Sequence, residues 1–137
     1  MDVLDLYNVL NNLDVELEAI KAMTSTSDEI VHANKEQLLQ GTKADGTTMP
    51  NYSPVSVSIY GKPDGPIRLF DTGAFQESFK VEVDSDGFNI KANDIHELED
   101  RYTSEIYGLD PLSQEYYNTE IFAPIFISNI QQQTGLI

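Results

Sequence analysis

LFDTGAFQESF, Leu69 to Phe79, is the stretch on which the fold turns. It reads as a strand-to-helix corner. AFQESF is a helix-like stretch with Asp71 or Thr72 placed to cap it, an arrangement worth roughly 1 kcal/mol through the first N–H groups it satisfies. Phe75 and Phe79 lie one turn apart, on the face that such a short helix would bury.

Downstream, Phe79 to Val83 and Phe88 to Ala92 predict two short strands. DSDG, Asp84 to Gly87, joins them, with Gly87 available for positive φ, and the unit is a β-hairpin. Asp94 to Tyr107 predicts a short acidic helix ending at Gly108. Leu112 to about Gln133 predicts a final helix with Ser113 near its cap. Pro124 removes a backbone donor in mid-helix and is expected to kink or split it. FAPIFI, Phe122 to Ile127, is apolar on nearly every side, which calls for burial on more than one face, centrally in the domain or under a partner. The tail QQQTGLI, 131–137, is expected to be flexible.

Upstream, Gly41 to Pro66 is dense in Gly, Pro, Ser, Thr and Asp, with turn dipeptides at Asp45-Gly46 and Asp64-Gly65. Val55, Val57 and Ile59 alternate with Ser56 and Ser58 and predict a short strand inside this extended loop. So long a loop either orders on a neighbouring subunit or has a disordered tip. Before it, Thr26 and Glu29 have the spacing of a capping box opening a second helix to about Gln40, with Gly41 as a left-handed stop. The first segment carries Val3, Leu6, Leu10, Leu13, Leu17 and Ile20 at spacings of three and four, predicting helix over residues 2 to 23. Asn11 and Asn12 are poor helix formers in its middle. The stripe suits packing on the chain's own core better than a coiled-coil seam, which needs a longer repeat. The order of elements predicts one α+β domain over 1–137, with an N-terminal helix in 1–25, an extended loop at 41–66 and C-terminal helices around a small sheet.

Composition narrows function. Eight basic against 23 acidic residues leave a net charge of −15. A direct nucleic-acid grip is excluded, because phosphate binding draws its affinity from Lys and Arg. The acids either keep a subunit soluble before assembly or line a channel through which DNA slides without sticking. No apolar run approaches the roughly 18 residues of a membrane span, and MDVLDLYNVL carries acids where a secretory signal carries bases, so a soluble chain without membrane contact is expected. Cysteine is absent, and His32 and His96 are too few for most zinc sites without carboxylate help.

Each catalytic candidate is thin. Asp94, Glu97, Glu99 and Asp100 surround His96, but spacing within one short helix points several of them to different sides. DSDG lacks the further acids of a calcium loop, and GTKADG lacks the lysine and hydroxyl of a phosphate loop. Asp71-Thr72-Gly73 matches the short signature of aspartic proteases, yet there is one copy and helix follows it. No catalytic, cofactor-binding or metal-ligating residue is therefore expected, and no cofactor.

LFDTGAFQESF also resembles the pattern of phage virion morphogenesis and tail-completion (neck, head-tail connector) proteins, with Leu69, Thr72, Gly73, Phe75, Ser78 and Phe79 in matching places. LLQGTKADGTTMPNYSP, Leu38 to Pro54, looks like that family's Gly-rich loop followed by an aromatic and a Ser-Pro pair. IYGLDPLSQEY, Ile106 to Tyr116, is similar to its Gly-Leu loop before an acidic final helix. The likeness covers about Leu38 to Ile130. It departs at HELEDRYTSEIYG, His96 to Gly108, where relatives often carry an aromatic and a histidine. The resemblance implies a non-enzymatic virion subunit, forming a homo-oligomeric ring with other neck, portal-proximal or tail proteins. The charge alone suggests an alternative, an acidic DNA mimic that inhibits a nucleic-acid-binding host protein.

Overall fold

Two helices stand where the apolar stripe predicts one. The computed structural model describes residues 2–70 and 72–135, with α1 at Val3–Asn12 and α2 at Val15–Ser25. Asp2 and Asp5 form a capping box at the start of α1. The Asp14 carboxylate accepts the Leu17 N–H at 3.0 Å and starts α2 afresh. This new cap, directly after the two weak helix formers Asn11 and Asn12, outweighs continuity of the stripe. The stripe itself divides. Leu6, Leu13 and Ile20 are half-buried, while Val3, Leu10 and Leu17 stay exposed.

Helix α3, Ser27–Leu39, follows almost without a break, and here the expected capping box is absent. The Thr26 hydroxyl instead donates to the Ala22 carbonyl and shares a 2.8 Å hydrogen bond with the Tyr117 hydroxyl across the core. The end of α3 is as expected. Gly41 lies at φ 76°, its N–H donates to the Leu38 carbonyl, and the Thr42 N–H donates to the Gln37 carbonyl.

Residues 41–66 are ordered on the chain's own core. Thr42 bridges Thr48, Asn51 bridges Pro66, and Met49 is buried. The predicted strand at 55–59 is instead a short helix, α4, Pro54–Ser58. Ser53 caps it by accepting the Ser56 N–H, and Pro54 takes the first helical position. Cap and proline are local signals that need no partner, whereas a five-residue alternation needs a neighbouring strand to pair with.

After α5, Ala74–Glu77, the expected hairpin forms from β1, Lys80–Asp84, and β2, Gly87–Lys91. Its antiparallel register runs from Lys80↔Lys91 to Asp84↔Gly87. The Asp84 carboxylate closes the turn by accepting the Asp86 and Gly87 N–H groups. Strand β1 packs against α2 and α3. The predicted helix over Asp94 to Tyr107 is reduced to α6, Leu98–Tyr102, and a 3-10 turn, Ser104–Ile106. Asp94 caps the Leu98 and Glu99 N–H groups and so delays the start, and Thr103 at φ 71° breaks the run.

The final helix is continuous from Pro111 to Thr134, as α7, Pro111–Tyr116, a π-helical stretch, Tyr117–Phe122, and α8, Ala123–Thr134. Asp110 is its cap and accepts the N–H of Ser113, which lies near the cap as expected. Pro124 neither splits nor ends it. The wider π turn lies immediately upstream, where a proline lacks a donor and crowds the carbonyl four residues earlier. FAPIFI is not central: Phe122 and Phe126 stack at 5.3 Å, but Ile125 and Ile127 are exposed on the surface of a helix covered by α1 and α2 on one side. Residues 131–134 are not a flexible tail, since they complete α8 and Thr134 is only 1% exposed. Gln133 there donates to the buried Glu18 carboxylate of α2, which also lies 3.5 Å from the Lys21 ammonium. Leu136 and Ile137 lie outside the described residues. The architecture is mixed α+β, with N-terminal helices, one two-stranded sheet among the described residues and a long C-terminal helix. Ile30, Leu38, Met49, Leu69, Phe79, Ile90, Ile106, Leu109 and Tyr117 form its core.

Gly41 offers a direct test of this arrangement. A Cβ added there would sit 2.3 Å from the Pro66 Cβ. Gly41→Ala is expected to destabilise by roughly 1–2 kcal/mol for the left-handed backbone alone, and by more once Pro66 is displaced. The urea midpoint measures it.

Candidate functional site

The corner at 69–79 forms one side of a concavity on the molecule. Leu69 is buried with φ 53°, so the chain turns sharply and Phe70 points its ring over Gly73, which itself lies at φ 88°. Asp71 lies outside the described residues. Gly73, not Thr72, is the cap residue of α5, while the Thr72 hydroxyl accepts the Ala74 N–H at 3.3 Å. As expected, Phe75 and Phe79 pack together, edge to face at 5.2 Å, and both meet the Tyr107 ring. Gln76, buried, donates to the Arg68 carbonyl, and the Ser78 hydroxyl donates to the Phe75 carbonyl while accepting the Asn93 N–H. These bonds tie residues 68, 75 and 93 into one wall.

That wall bounds an open groove of about 580 Å³. Ile67, Leu69, Phe75 and Leu98 form an apolar floor, with Phe70 and Ile95 exposed at its lip. The polar groups on its rim include Lys62, Arg101, Asp94 and the His96 imidazole. The Lys62 ammonium sits 5.8 Å from the Tyr52 ring centroid, and Arg101 is exposed beside Tyr102. Asp94 is occupied with the first N–H groups of α6.

The floor is held from behind by two side-chain amides that the sequence reading missed. Asn34 donates to the Ile106 carbonyl at 3.2 Å and accepts the Gly108 N–H at 3.0 Å. One turn on, Gln37 donates to the Gly108 carbonyl at 3.0 Å and accepts the Asp110 N–H at 2.7 Å. Both amides are buried, and together they replace four backbone partners for a segment in no regular structure. The available signal was their spacing: Ile30, Asn34, Gln37 and Leu38 share one helix face, so polar amides stand at core positions.

The other sequence candidates are dispersed. His96, Glu97, Glu99 and Asp100 are exposed, and among the described residues no group of three or more His, Asp or Glu could hold a metal ion. Asp84 closes the hairpin turn. Asp45 closes the Asp45–Thr47 turn, where the Thr47 hydroxyl and then its N–H hold the carboxyl below its ordinary pKa. Burial pushes the Tyr117 phenol up, against the opposing bond from Thr26. Burial, with the charges of Asp94 and Glu99, pushes Tyr107 up to about 12.

A second class of feature is apolar surface without cover. On α1, Val3 is 85% exposed, and Leu4, Tyr7 and Leu10 join it; on α4 and its exit Val55, Ile59 and Tyr60 are exposed, and on α7 Leu112 and Tyr116. Among the described residues no helix is long and apolar enough to cross a membrane. No family model, no curated protein and no solved structure matches the chain.

Two expectations follow. Asn34→Leu strands the Ile106 carbonyl and the Gly108 N–H in the core, and should cost about 2–4 kcal/mol in urea unfolding. Tyr107 binds its proton more tightly folded than unfolded, so its contribution to stability is complete below pH 10.0 and is lost as pH rises toward about 12. Tyr107→Phe should flatten that alkaline decline in urea midpoint, with Tyr117 leaving a residual slope.

Proposed function

We propose that the chain is a non-catalytic structural subunit of a tailed-phage virion, at the neck, head-tail connector or tail-completion position, acting by ring assembly and protein–protein contacts. The observation that carries this reading is the ordered set of segments at 38–54, 69–79 and 106–116, whose spacing resembles that of such proteins. Two physical features support it. Polar side chains that could have served chemistry are spent on local structure: Asp2, Asp14 and Asp110 cap helices, Asp94 caps α6, and Asp45 and Asp84 close turns. Meanwhile large apolar side chains remain exposed on α1, α4 and α7, the arrangement of a protomer that completes itself on neighbours.

The same use of acids weakens the DNA-mimic alternative, because a carboxylate fixed in a cap or turn is not free to follow a phosphate spacing. Mass spectrometry and electron microscopy of purified particles test the proposal. The chain should be found in mature virions at the head-tail junction or tail end, and its absence from them overturns the reading.

A further inference from the structure

We infer that the groove between α3 and α7 is a docking site for a basic amphipathic helix supplied by a different protein. The inference goes beyond the virion reading and does not depend on it, because it concerns one surface and the chemistry that surface selects.

The groove has a volume of about 640 Å³ and is bounded by α3 from Asp28 to Gln40 and by residues 110–121 of the C-terminal helix. Along α3 it runs about 18 Å, the length of three helical turns. Ala33 and Ile121, half-buried, and Tyr117, buried, make its floor. On the α7 side Leu112 is 79% exposed and Tyr116 is 61% exposed, so two large apolar groups stand at its edge. Both walls are helical and offer no row of free backbone groups to an added strand. An occupant is therefore recognised by its side chains, as a helix laid in a groove is.

The α3 side supplies the charge. Asp28, Glu29 and Glu36 are exposed on the lining, and none of them forms an ion pair among the described residues. Asp28 and Glu29 lie in the first turn of α3, where the helix dipole already suits an acid. Glu36 lies in the last turn, where the dipole is negative and no basic residue offsets it. Across the groove Asp110 is half-buried, its carboxylate engaged in capping α7. His32 stands between the acids of α3, and no Lys or Arg lines the groove. The field over this apolar surface is therefore negative, and a cation from outside relieves Glu36 in particular.

A second copy of the chain does not supply that occupant. Among the described residues no helix carries more than one Lys or Arg: Lys21 in α2, Lys35 in α3 and Arg101 in α6, with none in α1 or from Pro111 to Thr134. Lys21 and Lys35 are moreover paired with the chain's own Glu18 and Glu77. The occupant must bring an apolar stripe to Leu112, Tyr116 and the floor. Flanking that stripe it needs Lys or Arg two turns apart, the separation of Glu29 and Glu36 along α3.

Fluorescence anisotropy on the full chain tests this, with a dye-labelled, end-blocked peptide of two heptads carrying Leu at a and d, Lys at e and g, and Ala elsewhere. The peptide should bind, and lose affinity as salt screens the acid–base margin. A peptide of the same composition with its leucines scattered round the helix should bind at least roughly tenfold more weakly. Glu29→Lys with Glu36→Lys, and separately Leu112→Ser with Tyr116→Ser, should each weaken binding by roughly tenfold or more. Glu97→Lys with Asp100→Lys makes the same change of charge on exposed residues outside the groove, and should leave affinity within roughly twofold. Circular dichroism and the urea midpoint verify folding. If a double variant unfolds, Glu36→Lys alone makes the comparison, and it should bind more weakly without loss of stability, since a cation suits the C-terminal end of a helix. Failure of the wild type to bind overturns the proposal. Equal binding of the scattered peptide, or an equal loss on changing Glu97 and Asp100, marks a general attraction to an acidic protein and also overturns it. The virion reading is untouched by any of these outcomes, since it rests on particle composition.

Discussion

The four hydrogen bonds from Asn34 and Gln37 to the segment 106–110 are the constraint on which the rest of the molecule depends. This segment has no strand to pair with, yet it runs beside the core, where an unpaired carbonyl or N–H costs as much as a lost hydrogen bond. Two amides three residues apart on α3 imitate a strand edge and hold it in place. From that anchorage Ile106 and Leu109 reach the core, and Tyr107 is set against Phe75 and Phe79 under the groove. Asp110 is left in position to cap the final helix. Gly108, at φ 111° with Ala44 against it, completes the turn that this path requires.

Tied in this way, α3 connects everything else. Thr26, the residue that precedes it, hydrogen-bonds Tyr117 in the π-helical stretch of the C-terminal helix. Its last turn ends on Gly41, whose close approach to Pro66 fastens the 41–66 segment to the core. The sheet contributes little by comparison. Two strands are marginal alone, and this hairpin is stabilised by packing on α2 and α3.

A chain of 137 residues can bury one modest core, and here that core is spent on α3, the hairpin and the clasped segment. Many of the apolar residues left over are grouped, on α1, on α4 with its exit and on α7. Part of the acidic surplus is local in its action. Carboxylates at helix starts complement the N-terminal ends of the helix dipoles, and those in turns replace backbone acceptors. Charge of this kind stabilises elements without specifying a ligand, which is why composition alone did not choose a partner.

Signals that act within a few residues were legible in the chain alone. The Gly41 stop, the DSDG hairpin and the Phe75–Phe79 pair each depend on the geometry of neighbouring residues, and each stands as read. Local signals also explain the errors: Ser53-Pro54 made a helix of the predicted strand, and Asp14 cut the first helix in two. What only the tertiary structure decided is which apolar faces are covered. Periodicity defines a stripe on α1 and an all-round apolar segment at 122–127, but not what lies against them. The packing of α1 and α2 on one side of α8 left Val3, Leu10 and Ile127 outside. The groove likewise brings residues 62, 75 and 101 together from three separate segments. No spacing in a linear sequence encodes that meeting, because it depends on how separate segments pack against one another.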